Sequence, residues 1–371
     1  MARRMVKRPF ISVIVLAHDA ERHVLRTLES VLDQDFDDVQ LVVCDCASHD
    51  RTAAICRRCA EREIRLDVIE LEDTDRSLAF DRALGVARGR YVLVLGQNDW
   101  LAPRALEHLH ALLTEHDLEL AILALSVDED SGNGELSSHR LSFDVVPTRT
   151  KDEFRDQAPL FLADGIFNAL KGKVLDRDRA DALGLRMQLC GNEVAYLAAY
   201  LEDIERVGVA GQAVCHVAQQ EMLDRFNMAA YACCERNHER YLQLISTWRR
   251  DRDEALLAAV HRLHLRGIIS CIEGVCSSRE ISAIERNARV RDMIEAPSTR
   301  ASVAVLGDTS REFGFIYGSI VRKNVTACCL SARLSILARI SHLPFAARTG
   351  VCLIAPSYVA CGKSLPKRSL K

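Results

Sequence analysis

The hydrophobic positions between residues 11 and 125 form two alternating kinds of segment. Short, nearly continuous runs of Val, Ile and Leu are typical of strands covered on both faces. Between them, apolar residues recur three and four positions apart, which predicts helices. The predicted strands are residues 11–16, 39–43, 66–71, 91–95 and 119–125, and the predicted helices are residues 21–34, a segment through 54–59, residues 77–88 and a segment from 103 to about 116.

This alternation of strand and helix predicts an α/β fold: a mostly parallel, Rossmann-like open sheet with helices on both faces and right-handed crossovers. In such a sheet, ligands collect at the carboxyl ends of the strands. The loops that follow three of the predicted strands meet at that edge. They carry Asp19, Asp45, Asp50 and Asp99, so the sequence places a candidate site there.

The regular alternation of strands and helices ends at a polar loop predicted at residues 128–135. Further helices are predicted at residues 151–163, 176–183 and 192–202, a short extended piece at 165–173 and a final strand or hairpin within 207–217. From residue 221 the chain is helical in character, and no proline falls between Pro159 and Pro297. We expect a sheet-bearing domain at residues 9–220, a helical subdomain at 221–320 and a basic, apolar tail at 321–371.

The tail has no Asp or Glu after Glu312. Two interpretations stay open: peripheral contact with an anionic membrane surface, or a terminal helix packed on the body with a solvated basic end. The cations are Arg322, Lys323, Arg333, Arg339, Arg348, Lys363, Lys367, Arg368 and Lys371.

Composition narrows the classes of protein. With 371 residues, 49% hydrophobic, 27% charged and a net charge of −3, the chain is typical of a soluble globular protein and gives no reason to expect a nucleic acid partner. The apolar run at 11–16 is too short for a signal peptide, and no stretch reaches the roughly 18 apolar residues of a spanning helix.

Cysteines are the next candidates for chemistry. Fourteen of them in such a chain indicate reduced thiols. Cys56 and Cys59 form a C-x-x-C pair, but they lie in a predicted helix and no second pair accompanies them. Zinc binding and redox use are therefore disfavoured.

Six motifs, taken in order, resemble those of the family 2 glycosyltransferases of the GT-A fold. The resemblance covers roughly residues 10–220. The first helix carries Ser30 and Gln34 of the family's Leu-x-x-x-Leu-x-Ser-x-Leu-x-Gln pattern. The matching segments are the turn Leu16-Ala17-His18-Asp19, residues 27–34, residues 45–52, residues 87–91, the stretch Leu95-Gly96-Gln97-Asn98-Asp99-Trp100 and Gly191-Asn192-Glu193.

The resemblance implies transfer, with inversion, of a sugar from a nucleotide diphosphate sugar to an acceptor hydroxyl. The acceptor would be a saccharide or lipid-linked, in cell-envelope polysaccharide or glycolipid synthesis, in the cytoplasm at the inner face of the membrane. Glu193 would be the catalytic base; alternatively it is an ordinary first-turn glutamate favoured by the helix dipole. Asp45 would receive the nucleotide base or ribose, or is a turn residue. The other expected nucleotide-sugar contacts are Ala17, His18, Asp19, Asn98 and Asp99.

Three motifs depart from the family pattern. The family's Asp-x-Asp metal site has Gly96 and Asn98 in place of its two carboxylates, which leaves Asp99. Mg²⁺ and Mn²⁺ prefer carboxylate and water oxygens, so any such ion is expected to bind weakly here. An Arg-Asn pair of the family is Phe80-Asp81, and the second Asp of an Asp-Asp pair is Cys46.

Three functions remain open from the sequence. The first is a working glycosyltransferase with a weakened or rebuilt metal site. The second is a non-catalytic relative that binds a nucleotide sugar or a partner protein without turnover. The third is another α/β nucleotide enzyme. A Rossmann dehydrogenase is disfavoured because no G-x-G-x-x-G follows the first strand, and a P-loop enzyme is excluded on the same ground.

Overall fold

The structure is a computed structural model that describes residues 8–130, 136–141, 145–218, 228–278, 280–307 and 310–340. Nine strands form one mixed sheet in the order β3-β2-β1-β4-β8-β6-β9-β5, with β7 paired to β6. The strands are β1 Ile11–Ala17, β2 Val39–Cys46, β3 Leu66–Leu71, β4 Tyr91–Gly96, β5 Trp100–Leu101, β6 Leu120–Asp130, β7 Leu136–Leu141, β8 Lys173–Asp176 and β9 Val207–Ala218.

Helices surround the sheet and continue beyond it. The first eight are α1 Val24–Leu32, α2 Thr52–Ala60, α3 Arg76–Val86, α4 Ala105–His116, α5 Lys151–Ala163, α6 Arg177–Ala182, α7 Met187–Cys190 and α8 Glu193–Leu201, with a 3₁₀ turn at Ile166–Asn168. The later ones are α9 Met228–Thr247, α10 Glu254–Ser277, α11 Ala283–Glu295, α12 Pro297–Leu306, α13 Ser310–Phe313, α14 Phe315–Val321 and α15 Val325–Ile340.

Four parallel strands, β3-β2-β1-β4, form one half of the sheet. The strands β1 and β2 are buried at every position, as their continuous apolar sequences require. In register, Leu16 of β1 lies between Cys44 of β2 and Gly96 of β4. The carboxyl ends of these strands therefore meet at one edge, and the predicted α/β sheet is confirmed.

The strand β8 lies antiparallel between β4 and β6, so its beginning lies at the same edge as the end of β4. Gly172, with φ +70°, turns the chain into β8, and its N–H donates to Val94 O at 2.9 Å. Lys171 forms a bridge with Val94. This turn places residues 170–172 beside the carboxyl end of β4.

The predicted C-terminal helical region is confirmed, and α10 is its central helix, packed against α5, α9, α11, α12 and α15. Polar contacts join this region to the sheet domain, among them a hydrogen bond from Trp248 Nε1 to Glu202 O at 3.0 Å and one from Tyr241 Oη to Asn168 Oδ1 at 2.9 Å. The predicted boundaries at 220 and 320 stay predictions; residues 219–227 and 341–371 lie outside the described ranges.

Helix α10 is also long and apolar enough to cross a membrane, by length and composition alone, in the part of the chain that the structure describes. Half of its 18-residue apolar window is buried in the fold. Two of its cations, Arg262 and Arg266, bind Glu312 at 2.8 and 2.9 Å. These contacts are those of a core helix.

Three details of the prediction were wrong. The predicted loop at 128–135 is partly strand, because β6 continues to Asp130 and pairs with β7 in a hairpin. The piece predicted as extended at 165–173 begins as the 3₁₀ turn. The sheet is also mixed, since β8, β7 and β5 all pair antiparallel.

Twelve cysteines lie in the described ranges, and all are free thiols. The C-x-x-C pair lies on α2, as expected, with Cys56 buried and Cys59 half-buried. Burial raises the pKa of the Cys56 thiol to about 12. Cys56 is therefore protonated at neutral pH and poorly suited to act as a nucleophile.

Candidate functional site

The turn after β4 is joined to the turn after β1 by one amide side chain. Gln97 Oε1 accepts from His18 N at 2.8 Å, and Gln97 Nε2 donates to His18 O at 3.0 Å. The main chain of Gln97 is fixed in turn by Thr27, whose hydroxyl donates to Gln97 O at 2.9 Å. The two turns therefore form one unit.

The turns after β1 and β2 are also joined. His18 Nδ1 donates to Cys46 O at 2.7 Å, Asp19 N donates to Ser48 Oγ at 3.0 Å and His49 N donates to Asp19 Oδ1 at 2.7 Å. Asp19 and Ala47 have φ values of 47° and 54°, unfavourable for residues with a side chain. Strained backbone of this kind gathers at functional sites, where surrounding contacts hold it.

Asp45 lies at the centre of this network and is buried. Its carboxylate accepts from Ser48 Oγ at 2.5 Å and from Ser48 N at 3.3 Å. Its strand partner is Ala17, the last residue of β1, which is fully buried. Asp45 is thus fixed at the sheet edge by its own loop, and its turn role and a ligand role are compatible.

Asp50 connects the start of α2 to the loop after β1. Its carboxylate accepts from Thr52 N at 2.9 Å at the start of α2 and from Glu21 N at 3.0 Å in the loop after β1. Desolvation raises the pKa of Asp50, but hydrogen bonds from Thr52 and Glu21 outweigh it, so the pKa is lowered.

Asp99 is turned back onto its own loop. Its buried carboxylate accepts from Gly96 N at 2.9 Å, and Asp99 Oδ2 lies 3.9 Å from Lys171 Nζ. A Cβ on Gly96 would meet Asp99 Oδ2 at 2.5 Å, closer than real Cβ contacts. This position of the Asp99 carboxylate therefore requires glycine at 96.

Asn98 and Trp100 flank that carboxylate. Asn98 Oδ1 is buried with no hydrogen-bond partner, and Asn98 O accepts from the Arg26 guanidinium at 3.3 Å. The Arg26 guanidinium lies 3.7 Å above the centre of the Trp100 ring, and His216 of β9 stacks parallel to that ring, 4.9 Å between centroids. The Trp100 ring therefore contacts both Arg26 and His216.

Glu193 begins α8, as predicted, after Gly191 at φ 88° and the capping residue Asn192, which accepts from Ala195 N at 2.8 Å. The half-buried Glu193 carboxylate accepts from Leu170 N at 2.6 Å. Leu170 directly precedes Lys171, so Glu193 and Asp99 are both attached to the turn that enters β8. Glu193 therefore lies at the same sheet edge as Asp99.

Asp81 replaces a family asparagine and has a clear contact here. Its two carboxylate oxygens accept from Met187 N at 2.7 Å and Gln188 N at 3.0 Å, at the beginning of α7. The helix α7 leads directly through Gly191 into the loop that carries Glu193. Asp81 thus fixes that loop to α3.

The donor set at the turn does not fit a divalent ion. Gly96 offers no side chain, Asn98 offers one neutral oxygen, and the Asp99 carboxylate faces a backbone N–H and an ammonium group. Within the described ranges, no group of three or more His, Cys, Asp or Glu side chains is arranged to hold a metal. Hard divalent cations need several anionic oxygens, which this turn does not gather.

Sequence reasoning missed Lys171, Gln97 and the stack of Arg26, Trp100 and His216. Gln97 could have been noticed, since it occupies the variable position of the Asp-x-Asp motif. Lys171 and His216 could not, because only the antiparallel insertion of β8 and the return of β9 bring them to β4 and β5.

Comparison with known proteins gives a family for the first half of the chain. Residues 12–178 match the model of Glycosyl transferase family 2. The O-antigen biosynthesis protein RfbC of Myxococcus xanthus is 36% identical over 131 residues, 34% of this chain and 10% of RfbC. The succinoglycan biosynthesis protein ExoO of Rhizobium meliloti is 25% identical over 165 residues, 44% of this chain and 47% of ExoO.

The chain covers less than half the length of either of these curated relatives. Among solved structures, residues 1–349 of TarS from S. aureus superpose with a TM-score of 0.58 at 16% identity. The match covers 89% of this chain and 91% of that one. At this identity, the likeness to TarS is one of fold.

Proposed function

Because residues 12–178 of this chain form a family 2 glycosyltransferase domain of the GT-A fold, we propose that the protein transfers a sugar from a nucleotide diphosphate sugar to an acceptor hydroxyl. The relatives RfbC and ExoO are named for O-antigen and succinoglycan biosynthesis, which favours a saccharide or lipid-linked acceptor in envelope polysaccharide synthesis. TarS has been solved in complex with UDP-GlcNAc, which favours a nucleotide sugar as donor.

The proposed reaction is a single displacement with inversion. The acceptor oxygen attacks the anomeric carbon, the bond between that carbon and the phosphate oxygen breaks, and the nucleoside diphosphate leaves with the electron pair. The acceptor's proton passes to the Glu193 carboxylate. Asp45 binds the base or ribose, and Ala17, His18, Asp19, Asn98 and Asp99 line the donor pocket.

One observation carries this proposal: the loop after β2 with Asp45, the turn after β4 with Asp99 and the start of α8 with Glu193 all meet at one sheet edge. Each carboxylate is held by short hydrogen bonds from its surroundings. This architecture binds nucleotides outside the carboxyl ends of its parallel strands, and the three carboxylates lie at that edge.

A second candidate is a nucleotide-sugar-binding protein without turnover. It is favoured by the state of the Asp99 carboxylate, which is engaged by Gly96 N and Lys171. In that case the absence of carboxylates at positions 96 and 98 would leave the site without a catalytic metal, and no other group would replace it. The two candidates differ in turnover and agree in binding.

Incubation of the protein with UDP-, GDP- and dTDP-sugars, with and without Mn²⁺, separates these candidates. We expect release of the nucleoside diphosphate, with faster release when an envelope saccharide acceptor is added. Binding of a nucleotide sugar to the folded protein without release in any condition would favour the second candidate. The absence of both binding and release would refute both.

We further propose that the protein is cytoplasmic and touches the inner face of the membrane through its C-terminal tail. Most of that tail, residues 341–371, lies outside the described ranges. In the described part, Leu330, Leu334 and Leu337 of α15 are 57, 65 and 58% exposed and lie on one helix face with the exposed Arg333. Apolar side chains flanked by cations suit an anionic lipid surface.

Replacement of these three leucines by serine is expected to reduce cosedimentation with vesicles that contain anionic phosphatidylglycerol, because it removes the apolar anchor and keeps the charge. Vesicles of phosphatidylcholine alone should bind little of either protein. A matched control replaces three exposed apolar residues elsewhere, Ile64, Val146 and Leu160, by serine. Equal binding of the α15 variant and the control variant would contradict the membrane contact.

A further inference from the structure

The charge of a nucleoside diphosphate has to be offset at the turn after β4, if the proposed function holds. Two phosphate groups lie close together in the donor, and negative charge grows on them as the sugar leaves. In a protein, a divalent ion, an arginine or a lysine can supply the positive charge. The donor set of Gly96, Asn98 and Asp99 does not fit a divalent ion, so the question is which cation is present.

Lys171 is the cation at this position. Its ammonium lies 3.9 Å from Asp99 Oδ2, and its side chain remains 23% exposed while that of Asp99 is only 4% exposed. A separation of 3.9 Å leaves the ammonium N–H groups capable of turning towards an incoming anion. Asp99 holds the ammonium at the turn from the protein side.

The backbone of Lys171 is rigidly placed. It bridges to Val94 of β4, and the next residue, Gly172, donates to Val94 O at 2.9 Å. Lys171 O accepts from the ammonium of the fully buried Lys173 at 2.9 Å. On the other side, Leu170 N is bound by Glu193. The lysine is therefore fixed relative to both the strand end and the proposed base.

A lysine ammonium and a divalent cation exclude each other at such a carboxylate. Both seek the same oxygens, and their like charges repel at a separation of a few Å. Two features of this chain are consistent with that exclusion. The carboxylates of the family pattern are absent at positions 96 and 98, and Lys171 is paired with the remaining one, Asp99. Asn98, the residue before Asp99, offers a neutral amide oxygen that is buried and has no hydrogen-bond partner.

We propose that Lys171 takes the place of the divalent ion and binds the diphosphate of the donor directly, so that donor binding is independent of metal. The ammonium of Lys171 donates to a phosphate oxygen while Asp99 keeps it oriented. Arg26 contributes less, because its guanidinium is stacked on Trp100 and bonded to Asn98 O.

The test compares a nucleoside diphosphate with its own nucleoside, by titration calorimetry in EDTA and in Mn²⁺. The probe is whichever of UDP, GDP and dTDP binds the wild-type protein best. We expect the wild-type dissociation constant to be the same in both conditions within about twofold. Lys171→Met should weaken diphosphate binding by about ten- to a hundredfold, the range of a hydrogen bond to a charged group.

Binding of the nucleoside without phosphates should be unchanged in Lys171→Met, which separates a phosphate contact from general damage to the site. Lys171→Arg should restore part of the diphosphate affinity. The charge-matched control is Lys151→Met at the beginning of α5, which breaks a surface ion pair with Asp203 and should leave both affinities unchanged.

Four results would overturn the proposal. The first is a loss of wild-type diphosphate affinity of tenfold or more in EDTA, which would restore a metal to the site while the proposed function stands. The second is an unchanged diphosphate affinity in Lys171→Met, and the third is a loss of nucleoside affinity in that variant as large as its loss of diphosphate affinity. Failure of every probe to bind the folded wild-type protein would overturn this proposal together with the proposed function.

Discussion

Replacement of Glu193 by glutamine is expected to lower the rate of sugar transfer by about 10²- to 10⁴-fold, the usual contribution of a general base. Glutamine keeps an oxygen that can accept from Leu170 N, so the start of α8 should remain in place. What the variant loses is the group that takes the proton. Donor binding should therefore persist while turnover falls.

The measurement is the initial rate of nucleoside diphosphate release with acceptor present, with donor affinity measured separately. A matched control exists in Glu153, which also lies in the first turn of a helix and accepts a backbone N–H, that of Arg149, at 2.7 Å. Glu153 lies near the beginning of α5, away from the site. If Glu193→Gln and Glu153→Gln reduce the rate of nucleoside diphosphate release equally, Glu193 only positions Leu170 and is not the catalytic base.

Acidification is expected to destabilise the helical region through a buried histidine cluster. His238 stacks on His264 with 3.9 Å between ring centroids, and His238 Nε2 lies 3.2 Å from His261 Nδ1. Ser302 Oγ lies 2.9 Å from His261 Nδ1 and 2.8 Å from His264 Nδ1. The rings lie between α9, α10 and α12, and all three histidines are buried.

Burial lowers the pKa of His238 to about 3, with further lowering by His264 and His261 and an opposing effect of Glu235. Glu235 is the acid of the cluster: its Oε1 lies 3.2 Å from His264 Nε2. Burial also lowers the pKa of His261. In the unfolded chain a histidine titrates near 6.5, so between about pH 6.5 and 3 the unfolded state binds more protons than the folded state.

The free energy of unfolding must then fall as the pH falls. His238 alone accounts for close to one proton in this range, which corresponds to about 2 kcal/mol between pH 6.5 and 5. Urea midpoints from pH 7.5 to 4.5 measure this slope. His238→Gln should flatten the dependence of the urea midpoint on pH. The control is His23→Gln, which replaces an exposed histidine directly before α1 and should leave that dependence unchanged. An unchanged slope in His238→Gln would contradict the role of the cluster.

The parts of the fold that could be read from the sequence are those whose burial is uniform. Strands β1, β2 and β4 are buried along almost their whole length, so their composition alone identifies them. The strand β8 could not be found, because its four residues include the buried Lys173 and are held by neighbours more than 40 residues away in sequence.

The same distinction applies to the site. Asp45, Asp99 and Glu193 follow elements with strong local signals, so their shared edge could be predicted. Their partners could not, since the contact of Asp99 with Lys171 and that of Glu193 with Leu170 depend on how β8 enters the sheet. These partners determine the chemistry of the site, because Asp99, the carboxylate expected to bind a metal ion, is paired with Lys171.

The short distance between position 96 and the Asp99 carboxylate limits how a metal site could be rebuilt here by mutagenesis. A single Gly96→Asp change would press its Cβ against Asp99 Oδ2, and the aspartate could be accommodated only if Asp99 left Gly96 N and Lys171. An acid at position 96 therefore cannot simply be added to the one at position 99: its introduction alone would rearrange the carboxylate that it was meant to complement.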